Sequence, residues 1–220
     1  MIELINGNSY ELINEVIERA VNPIIVTDPP FNIGYHYNTY KDKMKNEEYI
    51  ERLSSILSLC PFVLIHYAED IFKIGMKLGK CPEKLVSWVY NSNTPKQHRE
   101  IGFFGVKPDF KKVTQPYKNL NDKRIKERIA KGIGGGKLYD WWNINQVKNT
   151  NKEKTAHPCQ MPQQVMDNIL GILPNDATII DPYMGSGTTG ISAKKLGLNF
   201  VGIEIDKDYF ELSKKRIYEL

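Results

Sequence analysis

Short runs of branched apolar residues recur along this chain, each separated from the next by residues with the spacing of an amphipathic helix. The strand-like runs lie at 2–6, 23–28, 62–65, 85–90, 101–106, 178–181 and 200–204. The helix-like stretches lie at 47–59, 68–78, 161–173, 188–196 and 207–218. A further helix, capped by Ser9, carries Leu12, Ile13, Val16 and Ile17 at helical spacing. A parallel pair of strands needs a crossover connection, usually a helix, so this alternation predicts a mainly parallel sheet covered on both faces. Runs 85–90 and 101–106 instead suggest a hairpin around 91–99. A chain of 220 residues can bury one substantial core and is short for two, so residues 1–220 read as a single domain.

Open α/β sheets keep their ligands at the carboxyl ends of their strands. Of the strand-like runs that end in an acid, two carry a longer pattern beyond it. Asp28-Pro29-Pro30-Phe31 closes Ile24-Ile25-Val26, and Asp181-Pro182-Tyr183-Met184-Gly185-Ser186-Gly187-Thr188-Thr189-Gly190 closes Thr178-Ile179-Ile180. In the second, the pattern Gly185-x-Gly187-x-x-Gly190 opens a helix and lets backbone N–H groups come close to a ligand. No Lys follows the last glycine, which excludes a triphosphate-binding loop. Taken alone the glycines suit a dinucleotide, with Glu204 on a ribose hydroxyl. Asp181 would repel a pyrophosphate, however, and suits the ammonium and sulfonium of S-adenosylmethionine. In the first segment, the Asp28 carboxylate and the Pro29 carbonyl are two acceptors for the two N–H bonds of an aromatic amine. Gripping both favours the tetrahedral nitrogen that forms as the amine attacks. Phe31 offers a face on which a flipped-out base can stack.

Charge is unevenly spread. Between Lys96 and Lys137 stand twelve Lys and Arg against four Asp and Glu, about +8, whereas the whole chain carries +4. Such a stretch suits a polyanion, and Lys111, Lys112, Lys123 and Arg124 are its candidate DNA contacts, with His98 and Arg99 as further phosphate contacts. Residues 107–156 read as irregular, and 91–150 as a basic insert on the domain. Cys60, Cys81 and Cys159 have neither zinc nor disulfide spacing, which suits a reducing cytoplasm. The chain shows no signal peptide, no membrane-length apolar run and no metal-ligand spacing, so neither a membrane nor a metal is expected.

The two acid-ended segments, with His157-Pro158-Cys159-Gln160-Met161-Pro162, resemble the motifs of the amino-group DNA methyltransferases. Their order resembles the β group: catalytic motif first, basic region next, cofactor motif last. This resemblance implies a Rossmann-like, doubly wound sheet of the S-adenosylmethionine methyltransferase type with a small basic insert for target recognition. It implies catalysis by Asp28, Pro29, Pro30 and Phe31. The cofactor would be held by Asp181, Pro182, Tyr183, Gly185, Ser186, Gly187, Thr188, Thr189 and Glu204, with His157 and Gln160 at its methionine end. Asn8 and Tyr35 would stand near the target base. Asp at position 28 resembles the adenine-N6 enzymes, whereas many cytosine-N4 enzymes have Ser there. Double-stranded DNA is the implied substrate, with a homodimer and a cognate restriction enzyme as further implied partners.

Two departures from the family pattern stand out. Met161 replaces the usual Lys, and Asn8 stands where relatives commonly carry Asp. These motivate a second reading, a catalytically weak DNA-binding pseudoenzyme or partner subunit, beside cytosine 4-amino methylation as the nearer alternative. Trp141 and Trp142 read as packing within the insert, and His66 as a core-edge residue.

Overall fold

A computed structural model describes residues 1–148 and 153–219. The last two positions of the 91–150 range, 149 and 150, lie outside the described residues. In chain order the elements are β1 (Ile2–Asn6), α1 (Ser9–Arg19), β2 (Pro23–Thr27), α2 (Asn46–Leu57), β3 (Phe62–His66) and α3 (Ala68–Leu78). Next come β4 (Lys84–Val89), β5 (His98–Phe104), β6 (Thr114–Gln115), α4 (Lys123–Ala130), β7 (Gly136–Lys137) and β8 (Trp141–Asn143). The chain continues through α5 (Gln163–Gly171), β9 (Thr178–Asp181), α6 (Thr188–Leu196), β10 (Asn199–Glu204) and α7 (Lys207–Tyr218).

The main sheet runs β1-β10-β9-β2-β3-β5-β4-β8. Its neighbours pair in parallel except where β5 lies antiparallel to both β3 and β4. Alternate strand residues face opposite layers. Ile25, Leu64 and Ile180 pack with Ile13, Leu53 and Ile71 from α1, α2 and α3. Val26, Ile65 and Ile179 pack with Met166, Ala193 and Ile217 from α5, α6 and α7. The result is the doubly wound, two-faced packing expected of this alternation.

Local boundaries follow from capping chemistry. Asn8, not Ser9, caps α1: it is the last residue in extended backbone, and its Oδ1 accepts the Tyr10 N–H. Ser9 is freed to donate its hydroxyl to the Pro182 carbonyl. The 161–173 stretch becomes helical only after Pro162, the extended cap residue of α5. The expectation that 107–156 is irregular is corrected: α4 forms there, and Trp141–Asn143 joins the main sheet beside β4. No residue of α4 is buried, and its apolar spacing rests on Ile125 and Ile129 within a run of Lys and Arg, which reads first as charge. Trp142 is buried in the core, as packing demands, while Trp141 is exposed with the Lys118 ammonium 4.5 Å from its ring.

Candidate active site

From β9 the chain winds to β10 on one side, and from β2 it winds to β3 on the other, so the winding reverses between the adjacent strands β9 and β2. A crevice opens at the carboxyl ends there. Ile25 lies opposite Ile180, so Asp181, the last residue of β9, and Asp28, the first after β2, emerge side by side. They share a cavity system. A pocket of about 190 Å3 reaches from Asn8 and Asp28–Phe31 past Tyr35 to Glu204 and Asp206. A smaller one of about 40 Å3 joins Asp28 to Asp181, Ser186, Thr188 and Thr189. His157, Tyr183 and Gly185 line both.

The glycine turn positions the acids of the cofactor end. Asp181 accepts from Thr189 Oγ1 at 2.6 Å, from the Tyr183 N–H at 3.1 Å and from Thr27 Oγ1 at 3.3 Å. Burial pushes its carboxyl up to about 7; these three bonds oppose the rise and the neighbouring Asp28 charge adds to it. Glu204, at the end of β10, accepts the Gly185 N–H at 2.8 Å and the Asp206 N–H at 2.9 Å, and burial raises it as well. Gly185 has φ +50, and a Cβ there would stand 2.9 Å from His157 Nε2. Gly187 caps α6. His157 is held near 4 by burial and by the cations Lys154 and Arg216, so it is neutral. Its ring meets the Tyr209 ring edge-on at 4.5 Å. The crevice is lined by Asp28, Asp42, Asp181, Glu204 and Asp206 against Arg52 and Arg99, an excess of acids that fits a cationic ligand. These are the acceptors that a sulfonium and an α-ammonium require.

The Asp28–Phe31 segment is held from behind. Backbone N–H of Tyr67 donates to His66 Nδ1 at 2.8 Å, which leaves Nε2 to donate to Tyr49 Oη, also at 2.8 Å. Tyr49 Oη in turn donates to the Pro30 carbonyl at 2.8 Å. Burial keeps His66 neutral, near 4, consistent with this proton order. The carbonyl of Pro29 accepts no hydrogen bond among the described residues. Asp28 Oδ2 lies 3.5 Å from Arg99 Nη1, and Oδ1 is buried without a partner. Burial raises the Asp28 carboxyl to about 6, against the lowering charge of Arg99. The following loop is closed by Asp42, whose carboxylate accepts the N–H groups of Asn32, Ile33 and Tyr35. Thr39 fastens it to Asp206 across the mouth of the crevice.

Most sequence-predicted residues converge here, with four corrections. Phe31 has no open face: His66 stacks on it at 4.1 Å and the Arg99 guanidinium stands over it at 4.6 Å. Two planar groups that close to one ring centre cannot share a face. Arg99 is turned inward, its side chain 17% exposed, and so does not offer itself to a phosphate. Gln160 lines neither pocket; it braces the loop before it by accepting the Thr155 N–H and donating to the Glu153 carbonyl. Lys111, Lys112, Lys123 and Arg124 are all exposed, and the Lys112 ammonium is engaged by the Leu173 carbonyl and Asn175 Oδ1. Asn8 lines the larger pocket but spends its amide on Tyr10 and Glu11. Met161 packs into the core and lines the smaller pocket. Arg99 and the His66–Tyr49 relay carried no sequence signal beyond residue type. Among the described residues no group of three or more His, Cys, Asp or Glu is arranged for a metal.

Residues 65–215 match the N6_N4_Mtase family, described as DNA methylase. Type II methyltransferase M.HpaI of Haemophilus parainfluenzae is 28% identical over 97% of this chain and 73% of its own length. DNA adenine methyltransferase YhdJ of Escherichia coli K12 is 24% identical over 97% of this chain and 82% of its own. Among solved structures, a complex of M1.HpyAVI with S-adenosylmethionine superposes with a TM-score of 0.61 at 25% identity, covering 98% of this chain and all of the other.

Proposed function

The chain belongs to the DNA methylase family, and from that premise we propose that it transfers a methyl group from S-adenosylmethionine to the 6-amino group of adenine in double-stranded DNA. One observation carries the reading: Asp28 Oδ1 is a buried acceptor without a partner, in a cavity shared with the acids of the glycine turn. S-adenosylmethionine, when bound, supplies an electrophilic methyl on a positively charged sulfur. Asp181, Glu204 and the Ser186–Thr189 turn would hold that cation, and His157 would wall its methionine end.

The target amine meets Asp28 Oδ1 and the Pro29 carbonyl, which take its two N–H bonds and draw its nitrogen towards tetrahedral geometry. Both acceptors are pre-placed by the strand end and the rigid prolines, so little reorganisation is left for the reaction itself. With S-adenosylmethionine bound, the amine would receive its methyl there, and the Asp28 carboxylate or water would take up the proton the amine gives up. With its carboxyl raised to about 6, Asp28 is a competent acceptor at neutral pH. Adenine is favoured over cytosine because position 28 is Asp, and because a relative similar over nearly the whole chain is named an adenine methyltransferase.

Finer parts of the reading follow the relatives. The exposed cations of 91–150 track the DNA backbone. Action in the cytoplasm beside a cognate restriction enzyme fits the Type II name of M.HpaI. Among the described residues no helix is long and apolar enough to cross a membrane. A homodimer is expected by light scattering. The deciding experiment is mass spectrometry of nucleosides from DNA incubated with enzyme and S-adenosylmethionine. N6-methyladenine is expected. N4-methylcytosine would move the target to cytosine, and no product despite cofactor binding would leave a DNA-binding partner subunit.

A further inference from the structure

Arg99 is placed by sheet register. It stands on β5 directly opposite Trp88 of β4, and β5 in turn pairs with β3, which ends in His66. Its guanidinium lies 4.6 Å from the Phe31 ring centre and 5.3 Å from that of Trp88. His66, Arg99 and Trp88 thus line up with Phe31, the last residue of the catalytic segment. From there Arg99 reaches one oxygen of Asp28, Oδ2, and leaves Oδ1 bare. Arg99 Nε is itself buried without a partner, so the pair is incompletely satisfied on both sides. Unsatisfied buried polar atoms are costly and rare, and a matched set on either side of one ion pair marks a place kept for a ligand.

We infer that Arg99 is a positioning residue for methyl transfer: it pins Asp28 through Oδ2 as a charged acceptor and leaves Oδ1 for the target amine. This rests on the methyltransferase reading above. A carboxylate buried at a strand end would otherwise take up a proton, and a protonated Asp28 would offer a donor where the amine also needs an acceptor. The other groups facing Asp28 do not supply the charge. Asp181 from β9 is an acid. Tyr37 of the loop, Tyr90 after β4 and Cys159 ahead of α5 are all pushed by burial towards their neutral forms, and so is His66 of β3. Arg99 is the cation in contact with Asp28.

The test compares the wild-type enzyme with Arg99→Met and Arg99→Lys, each saturated with S-adenosylmethionine and target duplex, across the pH range. In Arg99→Met the acid limb of the rate should move up by about 1–3 pH units, the effect of removing an adjacent opposite charge. Much of the rate should return at high pH, and Arg99→Lys should keep the limb near its original place. Cofactor binding without DNA, read by calorimetry over the same range, should change little, because it reports Asp181. A loss of rate by one factor at every pH, or no loss, would overturn the inference. If Arg99→Met does not fold, the wild-type protein decides by NMR. The Arg99 side-chain resonances should titrate at the same midpoint as the Asp28 carboxyl, and independent titration would overturn the pairing. Failure of the wild-type enzyme to methylate DNA would instead strike the function proposed above, and with it the catalytic role given to Arg99.

Discussion

The hydroxyl of Thr27 donates to Asp181 Oδ1 across 3.3 Å, so the residue just before Asp28 touches the acid that ends the neighbouring strand. Thr27 is fully buried. Thr27→Val keeps the shape and removes the donor. A long hydrogen bond to a charged group contributes about 1 kcal/mol, so S-adenosylmethionine affinity should fall about 3–10-fold. Isothermal calorimetry reads this. Unchanged affinity would mean that Asp181 takes its charge support from Thr189 and Tyr183 alone.

Asp28→Ala should leave cofactor affinity within a few-fold and lower single-turnover methylation by about 10²–10³, the usual loss on removing one transition-state contact. Tritiated-methyl transfer under single-turnover conditions checks it. A variant that turns over normally would remove Asp28 from the chemistry, whatever its place in the cavity.

Acidity gives a signed expectation. In the free protein burial raises Asp28 to about 6 and Asp181 to about 7, and raises Glu204 above its ordinary 4.5. The folded chain therefore holds more protons on these groups than the unfolded chain does. The stability they contribute is present below about pH 4 and is lost as pH rises through about 7. A bound cation favours the ionised forms, so cofactor affinity should rise across that same window. Thermal unfolding at about pH 5.5 and about pH 8 should show the larger stabilisation by S-adenosylmethionine at the higher pH. Glu69, Asp122, Asp140 and the crevice residue Asp206 shift the other way, but carboxyls lowered from their ordinary values titrate below that window. An equal stabilisation at both values would show that these acids do not face the ligand's charge.

Close packing at the glycine turn yields a stability test. A Cβ on Gly190 would lie 2.5 Å from Ile217 Cδ1 and 2.7 Å from Phe200 Cε1. Gly190→Ala should cost about 1–3 kcal/mol through overpacking, read by urea denaturation. Adding Ile217→Val, which removes the nearer methyl, should recover part of it. Wild-type stability in Gly190→Ala alone would show that α7 can slide away from α6.

How much of this was legible in the sequence depends on the range of the interaction. Strand 178–181 and helix 207–218 were read to the residue, because local apolar runs and Asp206 at the cap announce them. The acids ending two strands were legible for the same reason. Helix α4 was missed because it buries nothing, and β8 because three residues show no alternation. The covered faces of Phe31 and the Asp28–Arg99 pair were not legible. Arg99 lies 71 residues from Asp28, and only the antiparallel insertion of β5 between β3 and β4 turns it inward.

The last expectation concerns the DNA surface, where the structure changes the choice of residues. Lys112 is engaged by Leu173 and Asn175, so altering it would disturb packing between the basic stretch and the segment after α5. Lys111, Lys123 and Arg124 are exposed, and Arg124 keeps only a long pair with Asp122 at 3.6 Å. Each cation that neutralises a phosphate adds about 0.9 to the slope of log affinity against log salt. The triple change to Gln should weaken duplex binding at low salt and reduce that slope by about 1–3, while leaving S-adenosylmethionine binding and thermal stability near wild type. Fluorescence anisotropy over a salt series measures the slope. An unaltered slope would place the DNA on another face and leave α4 a solvated helix with no part in binding it.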